Sequence, residues 1–145
     1  MPIDFEIREV KESTDSIVSS MKDLLSQLTS TSIDFNSSAL DEILNSISTK
    51  LFVALVEHNI VGTYTLVIFR IPTGATARIE DVVVEEKWRG KGVGKKMMKH
   101  AIELVKKEGI FKIELTSHHS RIEANKLYQS LGFEQIETNV YRLYV

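Results

Sequence analysis

The chain has 145 residues, hydrophobic and charged fractions of 43% and 26%, and a formal net charge of −2. This length suits one domain with one core, so we expect a single domain over residues 1–145. A chain without a basic balance lacks the electrostatic footprint of a nucleic-acid-binding protein. The absence of cysteine excludes disulfides, thiolate metal sites and a cysteine nucleophile.

The first ten residues, MPIDFEIREV, have neither the basic nor the apolar region of a signal peptide. No apolar run approaches the roughly 20 residues that are needed to span a bilayer. We therefore expect a cytoplasmic protein with neither a membrane partner nor a nucleic-acid partner.

The first half of the chain predicts a strand, two helices and a β-hairpin. Ile3, Phe5 and Ile7 alternate with charged residues, as in a strand with one buried face. Apolar residues then recur at helical spacing in residues 17–28 and 40–47, each time after a capping sequence. The segments LFVALVE and IVGTYTLVIF are rich in β-branched and aromatic residues and predict two strands joined at a short turn.

The second half predicts four more strands and two helices. They are a strand over 76–84, a helix over 92–107, a strand over 111–115, a helix over 121–131, and closing strands over 133–136 and 140–145. The order β-α-α-β-β-β-α-β-α-β-β predicts an α/β (α+β) fold. We expect one mixed sheet of about seven strands flanked by about four helices.

The turn Arg89-Gly90-Lys91-Gly92-Val93-Gly94 joins a predicted strand to a predicted helix. Its bare N–H groups and the positive end of the helix dipole predict a site for an anion, most often a phosphate. Two phosphate-binding motifs fail here. A P-loop needs glycine at Arg89 and serine or threonine at Lys96, and a dinucleotide fingerprint needs glycine at Lys95.

A third pattern, [QR]-x-x-G-x-[GA], is matched by Arg89, Gly92 and Gly94. This resembles the acetyl-CoA-binding signature of the GNAT superfamily of N-acyltransferases. The segment from Ala124 to Phe133 is similar to that family's A-x-x-x-Y-x-x-x-G-F segment. The element order also resembles the family over nearly the whole chain. The resemblance implies a GNAT-like domain that uses acetyl-CoA and no metal.

On this resemblance, the pyrophosphate of coenzyme A lies on the glycine turn, and the pantetheine arm runs back along the preceding strand. The arm would lie where this strand splays from residues 111–115 and would bond its backbone as an added strand does. Asn125 is a further candidate, although Arg121 stands where many relatives carry asparagine. The candidate cofactor-binding residues are Val82, Val83, Val84, Arg89, Gly90, Lys91, Gly92, Val93, Gly94, Lys95 and Asn125.

Direct attack of an amine on a thioester calls for a general base that keeps the amine neutral. Strand alternation predicts that Arg78, Glu80, Val82 and Val84 share one face, while Asp81 and Val83 share the other. Glu80 is our candidate base because its register matches the acid-bearing face of the family, and Asp81 is held in reserve. The alternative is a carboxylate that only pairs with a cation such as Arg78.

Tyr128 is the candidate general acid for the leaving thiolate. It lies in the apolar stripe of the last predicted helix, and a tyrosine at this position of the family often reaches the thioester sulfur. The alternative is a core tyrosine with a hydrogen-bonded hydroxyl group. His118 and His119 have no third ligand close in sequence, so we expect no metal site, and His58 and His100 are predicted to lie on the surface.

The sequence thus predicts an N-acetyltransferase that acts on the primary amine of a small molecule. A protein acetyltransferase, acting on a lysine or an N-terminus, and a coenzyme A-binding module without catalysis remain the alternatives. Asp34, Asp41 and Glu42 lie in the segments expected to form the substrate pocket, where they could attract a cationic amine. The sequence leaves a homodimer open.

Overall fold

The computed structural model describes residues 3–145, which form a five-stranded sheet and four α-helices. The strands are β1 (Glu6–Glu9), β2 (Thr49–Val56), β3 (Asn59–Ile71), β4 (Gly74–Val84) and β5 (Ile113–Glu114). The helices are α1 (Asp15–Leu25), α2 (Ser37–Asn45), α3 (Val93–Lys107) and α4 (Ile122–Ser130), and a short 3₁₀ turn covers Glu86–Trp88. Up to α4, the order of elements is the one that the sequence predicts.

The sheet has the order β1-β2-β3-β4-β5. The first four strands pair antiparallel with their neighbours, and β5 pairs parallel with β4. The mixed sheet is therefore confirmed. Only two residue pairs, Ala77 with Ile113 and Arg78 with Glu114, join β4 to β5.

Each face of the sheet carries its own apolar cluster because the strands alternate their side chains between two helical layers. On one face, Met21 of α1 and Leu40 of α2 pack against Leu51 and Val53 of β2. The other face packs Met97, Met98, Ala101 and Val105 of α3 and Tyr128 of α4 against Phe52, Tyr64, Leu66 and Ile79.

The prediction of about seven strands is wrong, since the two closing strands are not formed. Residues 133–145 contain no strand, and residues 134–145 are all exposed. The alternating pattern of this segment indicates the capacity to form a strand, but a strand also needs a neighbour to pair with. Within residues 3–145 the segment has none.

Candidate active site

A β-bulge interrupts β4 where the candidate base lies. Thr65 of β3 pairs with Glu80, but Thr63 pairs with Val83, so β4 carries one extra residue at this point. Asp81 is in the bulge and has a φ of 50°, which lies in the left-handed region. The extra residue shifts the alternation of every side chain that follows it along β4.

The predicted arrangement of side chains on β4 is therefore wrong after the bulge. Glu80 and Val83 lie opposite Thr65 and Thr63, which share a face of β3, so both point towards the layer of α1 and α2. Val82 and Val84 pack instead against the cluster of α3 and α4. Glu80 and Val82 thus lie on opposite faces of the sheet.

Beyond their two paired residues, β4 and β5 separate and leave a gap. β4 continues to Val84, whereas β5 ends at Glu114. A pocket of about 140 Å³ lies in this gap. Its lining residues are Leu28, Ile79, Glu80, Asp81, Val82, Leu115, Thr116, Arg121 and Tyr128. The structure therefore brings both predicted catalytic residues, which are far apart in sequence, to one pocket.

Two carboxylates lie side by side in this pocket. Glu80 accepts a hydrogen bond of 2.9 Å from Nε of Arg78, and Arg78 also lies 3.8 Å from a carboxylate oxygen of Glu114. Asp81 is an exposed residue, yet enough protein surrounds its carboxyl group for partial burial to raise its pKa. The negative charge of Glu80 raises the pKa of Asp81 further.

Tyr128 closes the pocket from the side of α4. The residue is 5% exposed, and its ring packs edge-on against Phe133 with ring centroids 6.0 Å apart. Burial raises the pKa of the Tyr128 hydroxyl, and the nearby positive charge of Arg121 opposes this in part. The hydroxyl therefore keeps its proton at neutral pH, as a proton donor must.

Arg121 spans the gap between α4 and β4. Its Nη2 donates a hydrogen bond of 3.2 Å to the carbonyl oxygen of Val82. At the other end of the valine run, Nε of Arg89 donates to the carbonyl oxygen of Val84 over 2.9 Å. Two of the carbonyl groups predicted to bond pantetheine are thus held by arginine side chains. The sequence analysis did not anticipate these contacts, because no sequence signal links an arginine to a backbone carbonyl 39 residues away.

The glycine turn has the backbone that an anion site requires. Gly90 and Gly92 have φ values of 74° and 88°, which glycine adopts without strain. Gly92 is the N-cap of α3, and no side chain caps that helix end. Within residues 3–145, the first N–H groups of α3 therefore remain available to an anion.

The other residues of the turn differ in their surroundings. Val93 is buried in the core, so only its backbone can face a ligand. A Cβ atom at Gly94 would lie 3.3 Å from Cδ2 of Leu127, which shows that this glycine lets α3 and α4 approach closely. Lys91 and Lys95 are exposed, and Nζ of Lys91 lies 5.4 Å from the ring centroid of Trp88. The turn thus presents exposed cations beside the uncapped N–H groups of α3.

The loop between β5 and α4 is held by its own hydrogen bonds. Nδ2 of Asn125 donates to the carbonyl oxygen of His118 over 3.1 Å, and the N–H group of Ser120 donates to Nδ1 of His118 over 3.1 Å. Asn125 therefore supports the loop in this structure. Oγ of Ser117 is buried and has no hydrogen-bond partner within residues 3–145, so a polar ligand beside Thr116 would find an unpaired group.

Several predicted features lie outside the pocket. Asp34, Asp41 and Glu42 are exposed and do not line it, whereas Leu28, in the turn after α1, does. The helical spacing of the sequence placed Leu28 in a buried stripe but could not show that it borders a pocket. His100, which was predicted to lie on the surface, is half-buried, and its Nδ1 lies 2.7 Å from the buried hydroxyl of Tyr64. A wider hollow of about 690 Å³ beside Trp88 contains none of the predicted catalytic residues.

Comparison with known proteins agrees with this geometry. A family model described as "Acetyltransferase (GNAT) family" matches residues 20–133. The chain belongs to the GNAT family of acetyltransferases. The predicted membership of the GNAT superfamily is thus confirmed, and this GNAT protein is an acyltransferase.

The relatives of this GNAT protein cover almost its full length. Glucosamine 6-phosphate N-acetyltransferase of Trypanosoma brucei brucei is 31% identical over 142 residues, which is 93% of this chain and 92% of that protein. A crystal structure of a Trypanosoma brucei acetyltransferase has a TM-score of 0.79 and 29% identity, and covers 98% of this chain and 100% of that one. Glucosamine-6-phosphate N-acetyltransferase from Arabidopsis thaliana shares the fold, with a TM-score of 0.81 and 24% identity over 98% of this chain and 99% of that one.

The described part of this GNAT protein contains neither a group of metal ligands nor a membrane-spanning helix. Within residues 3–145, no three or more His, Asp or Glu side chains are grouped so that they could hold a metal ion. No helix in the same range is long and apolar enough to cross a bilayer.

Proposed function

We propose that the protein transfers an acetyl group from acetyl-CoA to the primary amine of a small molecule. The observation that carries this proposal is the pocket between β4 and β5, which Glu80 and Tyr128 line from opposite sides of the gap. The likeness to glucosamine 6-phosphate N-acetyltransferase over 93% of the chain favours an amino sugar phosphate as the acceptor.

The residues of the gap and the turn fit coenzyme A. The bare N–H groups after Gly92 and the exposed cations Lys91 and Lys95 suit a pyrophosphate. The carbonyl of Val82, now paired with Arg121, and the unpaired Oγ of Ser117 suit the amides of a pantetheine arm. When bound, acetyl-CoA supplies an activated acyl group.

Two side chains of the pocket then take part in proton transfer, one as acceptor and one as donor. Glu80 points towards the layer of α1 and α2, where a substrate amine would approach, and its carboxylate accepts a proton from that amine. Arg78 holds the carboxylate in position through the hydrogen bond of 2.9 Å. Tyr128, on the other side of the gap, donates its hydroxyl proton to the departing thiolate.

The first test measures cofactor binding and turnover separately. We expect saturating acetyl-CoA to raise the melting temperature. We also expect acetyl-CoA to release its thiol faster when the acceptor is glucosamine 6-phosphate than when it is glucosamine, an aminoglycoside or a lysine peptide. Thermal stabilisation without thiol release on any amine would favour the binding-module alternative. Release on the peptide alone would favour a protein acetyltransferase.

The second test assigns the two catalytic residues. We expect Tyr128→Phe and Glu80→Gln each to lower turnover about a hundredfold, because general acid–base groups contribute about that much or more, while the thermal shift with acetyl-CoA persists. Tyr64→Phe removes another buried tyrosine hydroxyl, and Glu114→Gln removes the other carboxylate near Arg78, so both serve as matched controls. Unchanged turnover in Tyr128→Phe would remove the acid assignment. Loss of turnover in Asp81→Asn but not in Glu80→Gln would move the base to Asp81.

A further inference from the structure

Arg121 crosses the route that the proposed cofactor would take. Its guanidinium group reaches from the start of α4 to β4, where Nη2 donates a hydrogen bond of 3.2 Å to the carbonyl oxygen of Val82. The side chain is half-buried and lines the pocket between β4 and β5. The gap that a pantetheine arm would enter is therefore bridged by a side chain of the protein itself.

Val82 is not in register with any residue of a neighbouring strand. It follows the bulge at Asp81, where the pairing of β4 with β3 is interrupted, and β5 pairs with β4 only at Ala77 and Arg78. A backbone carbonyl group without a strand partner takes its hydrogen bond from another donor. Arg121 is this donor in the free protein, and an amide N–H group of a pantetheine arm is an equivalent one.

The side chain of Arg121 is held by a single contact. Within residues 3–145, its guanidinium group donates no other hydrogen bond and forms no ion pair, although Glu80 and Asp81 line the same pocket. The backbone of Arg121 is fixed separately, because its N–H group donates to the carbonyl oxygen of His118 and its carbonyl oxygen accepts from the N–H group of Asn125. The side chain can therefore leave Val82 without a change in the backbone of α4.

The guanidinium group also lies near the reacting end of the pocket. Its positive charge partly offsets the effect of burial on the pKa of the Tyr128 hydroxyl, the group that we expect to meet the leaving thiolate. An arm that bonds Val82 as an added strand does would run through the place where the guanidinium group now lies. The arm and the observed position of Arg121 therefore exclude each other.

We propose that Arg121 holds the place of the pantetheine arm in the free protein and that the arm displaces it from Val82. This inference rests on the proposed function, which supplies the route of the cofactor along β4. An amide N–H group of the arm takes over the carbonyl oxygen of Val82, and the guanidinium group turns towards the carboxylates of Glu80 and Asp81 in the same pocket. As coenzyme A leaves, Arg121 competes for the same carbonyl oxygen and thus promotes release of the product.

Calorimetric titration of acetyl-CoA into the parent and into Arg121→Ala tests the competition. We expect the variant to bind acetyl-CoA about tenfold tighter, because one competing charge-assisted hydrogen bond is lost, and to release coenzyme A correspondingly more slowly. Long-range electrostatics alone predicts the opposite sign, because acetyl-CoA is an anion and the variant has lost a cation. Equal or weaker binding by Arg121→Ala would therefore overturn the proposal.

Two controls separate displacement of the arm from other effects. 3′-Phospho-ADP carries the pyrophosphate of coenzyme A without the arm, so Arg121→Ala should bind it no tighter than the parent does. Arg8→Ala removes an exposed arginine that pairs with Glu6 on β1, at the opposite edge of the sheet from β5, so it should not tighten the binding of acetyl-CoA. Tighter binding of both ligands by Arg121→Ala would contradict the proposal. A parent protein that binds no acetyl-CoA would refute the proposed function and this inference with it.

Melting curves distinguish displacement from a purely structural role. The side chain of Arg121 does not cap α4, so Arg121→Ala removes the bond to Val82 and leaves that helix end unchanged. We expect the variant to melt at a lower temperature than the parent without ligand, and to gain more from saturating acetyl-CoA. A lower melting temperature with an equal or smaller gain would show that Arg121 only supports the fold.

Arg121→Lys is a second variant that keeps a cation on a long side chain. We expect its affinity for acetyl-CoA to lie closer to that of the parent than to that of Arg121→Ala, because an ammonium group can also donate to the carbonyl oxygen of Val82. Binding as tight as that of Arg121→Ala would contradict the competition for this oxygen.

Discussion

Asp81 is the residue at which β4 changes the direction of its side chains. It occupies the bulge with a φ of 50°, so Glu80 before it and Val82 after it lie on opposite faces. A strictly alternating strand would have put Glu80 and Val82 on the same face. In the proposed function, the bulge therefore lets one short stretch of β4 face both the acceptor amine and the cofactor.

The position of Asp81 leads to a prediction about stability. Partial burial and the charge of Glu80 raise the pKa of Asp81, so the folded state binds a proton more readily than the unfolded state does. The ionised carboxylate thus destabilises the fold at neutral pH, and stability is regained as the pH falls through the raised pKa. We expect Asp81→Asn to raise the melting temperature at neutral pH and to lose this advantage in acid. Asparagine tolerates the positive φ, so backbone strain does not mask the effect.

A melting series from neutral to acidic pH checks the Asp81 prediction. Asp34→Asn is the control, because Asp34 is exposed and lies outside the pocket. An Asp81→Asn variant that is less stable than the parent at neutral pH would show that the carboxylate makes a favourable contact.

At the scale of elements, the start of α3 and the gap beside β4 lie at the two ends of one short stretch of chain, from Glu80 to Gly92. α3 begins at Gly92 without a side-chain cap, directly after the turn that follows β4. Gly94 then brings α3 close to Leu127 of α4. The proposed pyrophosphate site and the proposed catalytic pocket are thus connected through the packing of two helices against one strand.

The two positive-φ glycines at the ends of α3 allow a controlled test of the turn. Gly92 has a φ of 88° and Gly109 a φ of 74°, and nothing lies within 4 Å of a Cβ atom at either position. Glutamate at either site should therefore cost about 1–2 kcal/mol of stability from the left-handed backbone. We expect only Gly92→Glu to abolish the thermal shift with acetyl-CoA, because it also places a negative charge at the anion site.

Titration of both glycine variants with acetyl-CoA at a fixed temperature provides the measurement. If the Gly92→Glu variant bound acetyl-CoA as tightly as Gly109→Glu does, the pyrophosphate would not bind at this turn.

At the scale of the whole molecule, one partly buried polar pair, Tyr64 and His100, couples α3 to the sheet. The Tyr64 hydroxyl lies 2.7 Å from Nδ1 of His100, inside the cluster that holds Phe52. Burial raises the pKa of Tyr64, so its hydroxyl keeps the proton at neutral pH. Burial, and to a lesser degree the charge of Lys107, lower the pKa of His100.

The lowered pKa of His100 predicts that the fold is sensitive to acid. The unfolded chain takes up the proton near the ordinary histidine pKa of 6.5, and the folded chain only below it. The contribution of neutral His100 to stability is therefore fully present above pH 6.5. It is lost as the pH falls from there to the lower pKa of the folded state. We expect His100→Asn, whose side-chain amide can donate to Tyr64 or accept from it, to remove this part of the pH dependence. Chemical denaturation at a series of pH values from neutral to acidic checks this prediction. If the free energy of unfolding of His100→Asn fell with pH as steeply as that of the parent, His100 would not be the group responsible.

An exposed histidine provides the comparison for His100. His58 lies in the turn between β2 and β3 and is exposed, so His58→Asn should leave the pH dependence of unfolding as it is in the parent.

Local sequence patterns by themselves determined most of the helices and strands and several residues of the candidate site. Alternation and helical spacing predicted every helix and the first five strands, because these patterns reflect burial on one face of a nearby layer. The family was indicated by the spacing of four residues, Arg89, Gly92, Gly94 and Tyr128. The backbone of the turn requires the glycines, and the packing of the last helix requires the tyrosine. Glu80 and Tyr128 were expected to act together, and their common pocket agrees with that expectation.

Only the tertiary structure decided how these parts face one another. The bulge at Asp81 depends on the pairing of β4 with β3, and the bond from Arg121 to Val82 joins residues 39 positions apart. The contact of His100 with Tyr64 likewise joins residues 36 positions apart. The closing strands failed for the same reason, because a strand-forming sequence specifies its own alternation but not the edge that it pairs with. Local patterns thus determined the elements, and contacts between distant residues determined the geometry of the site.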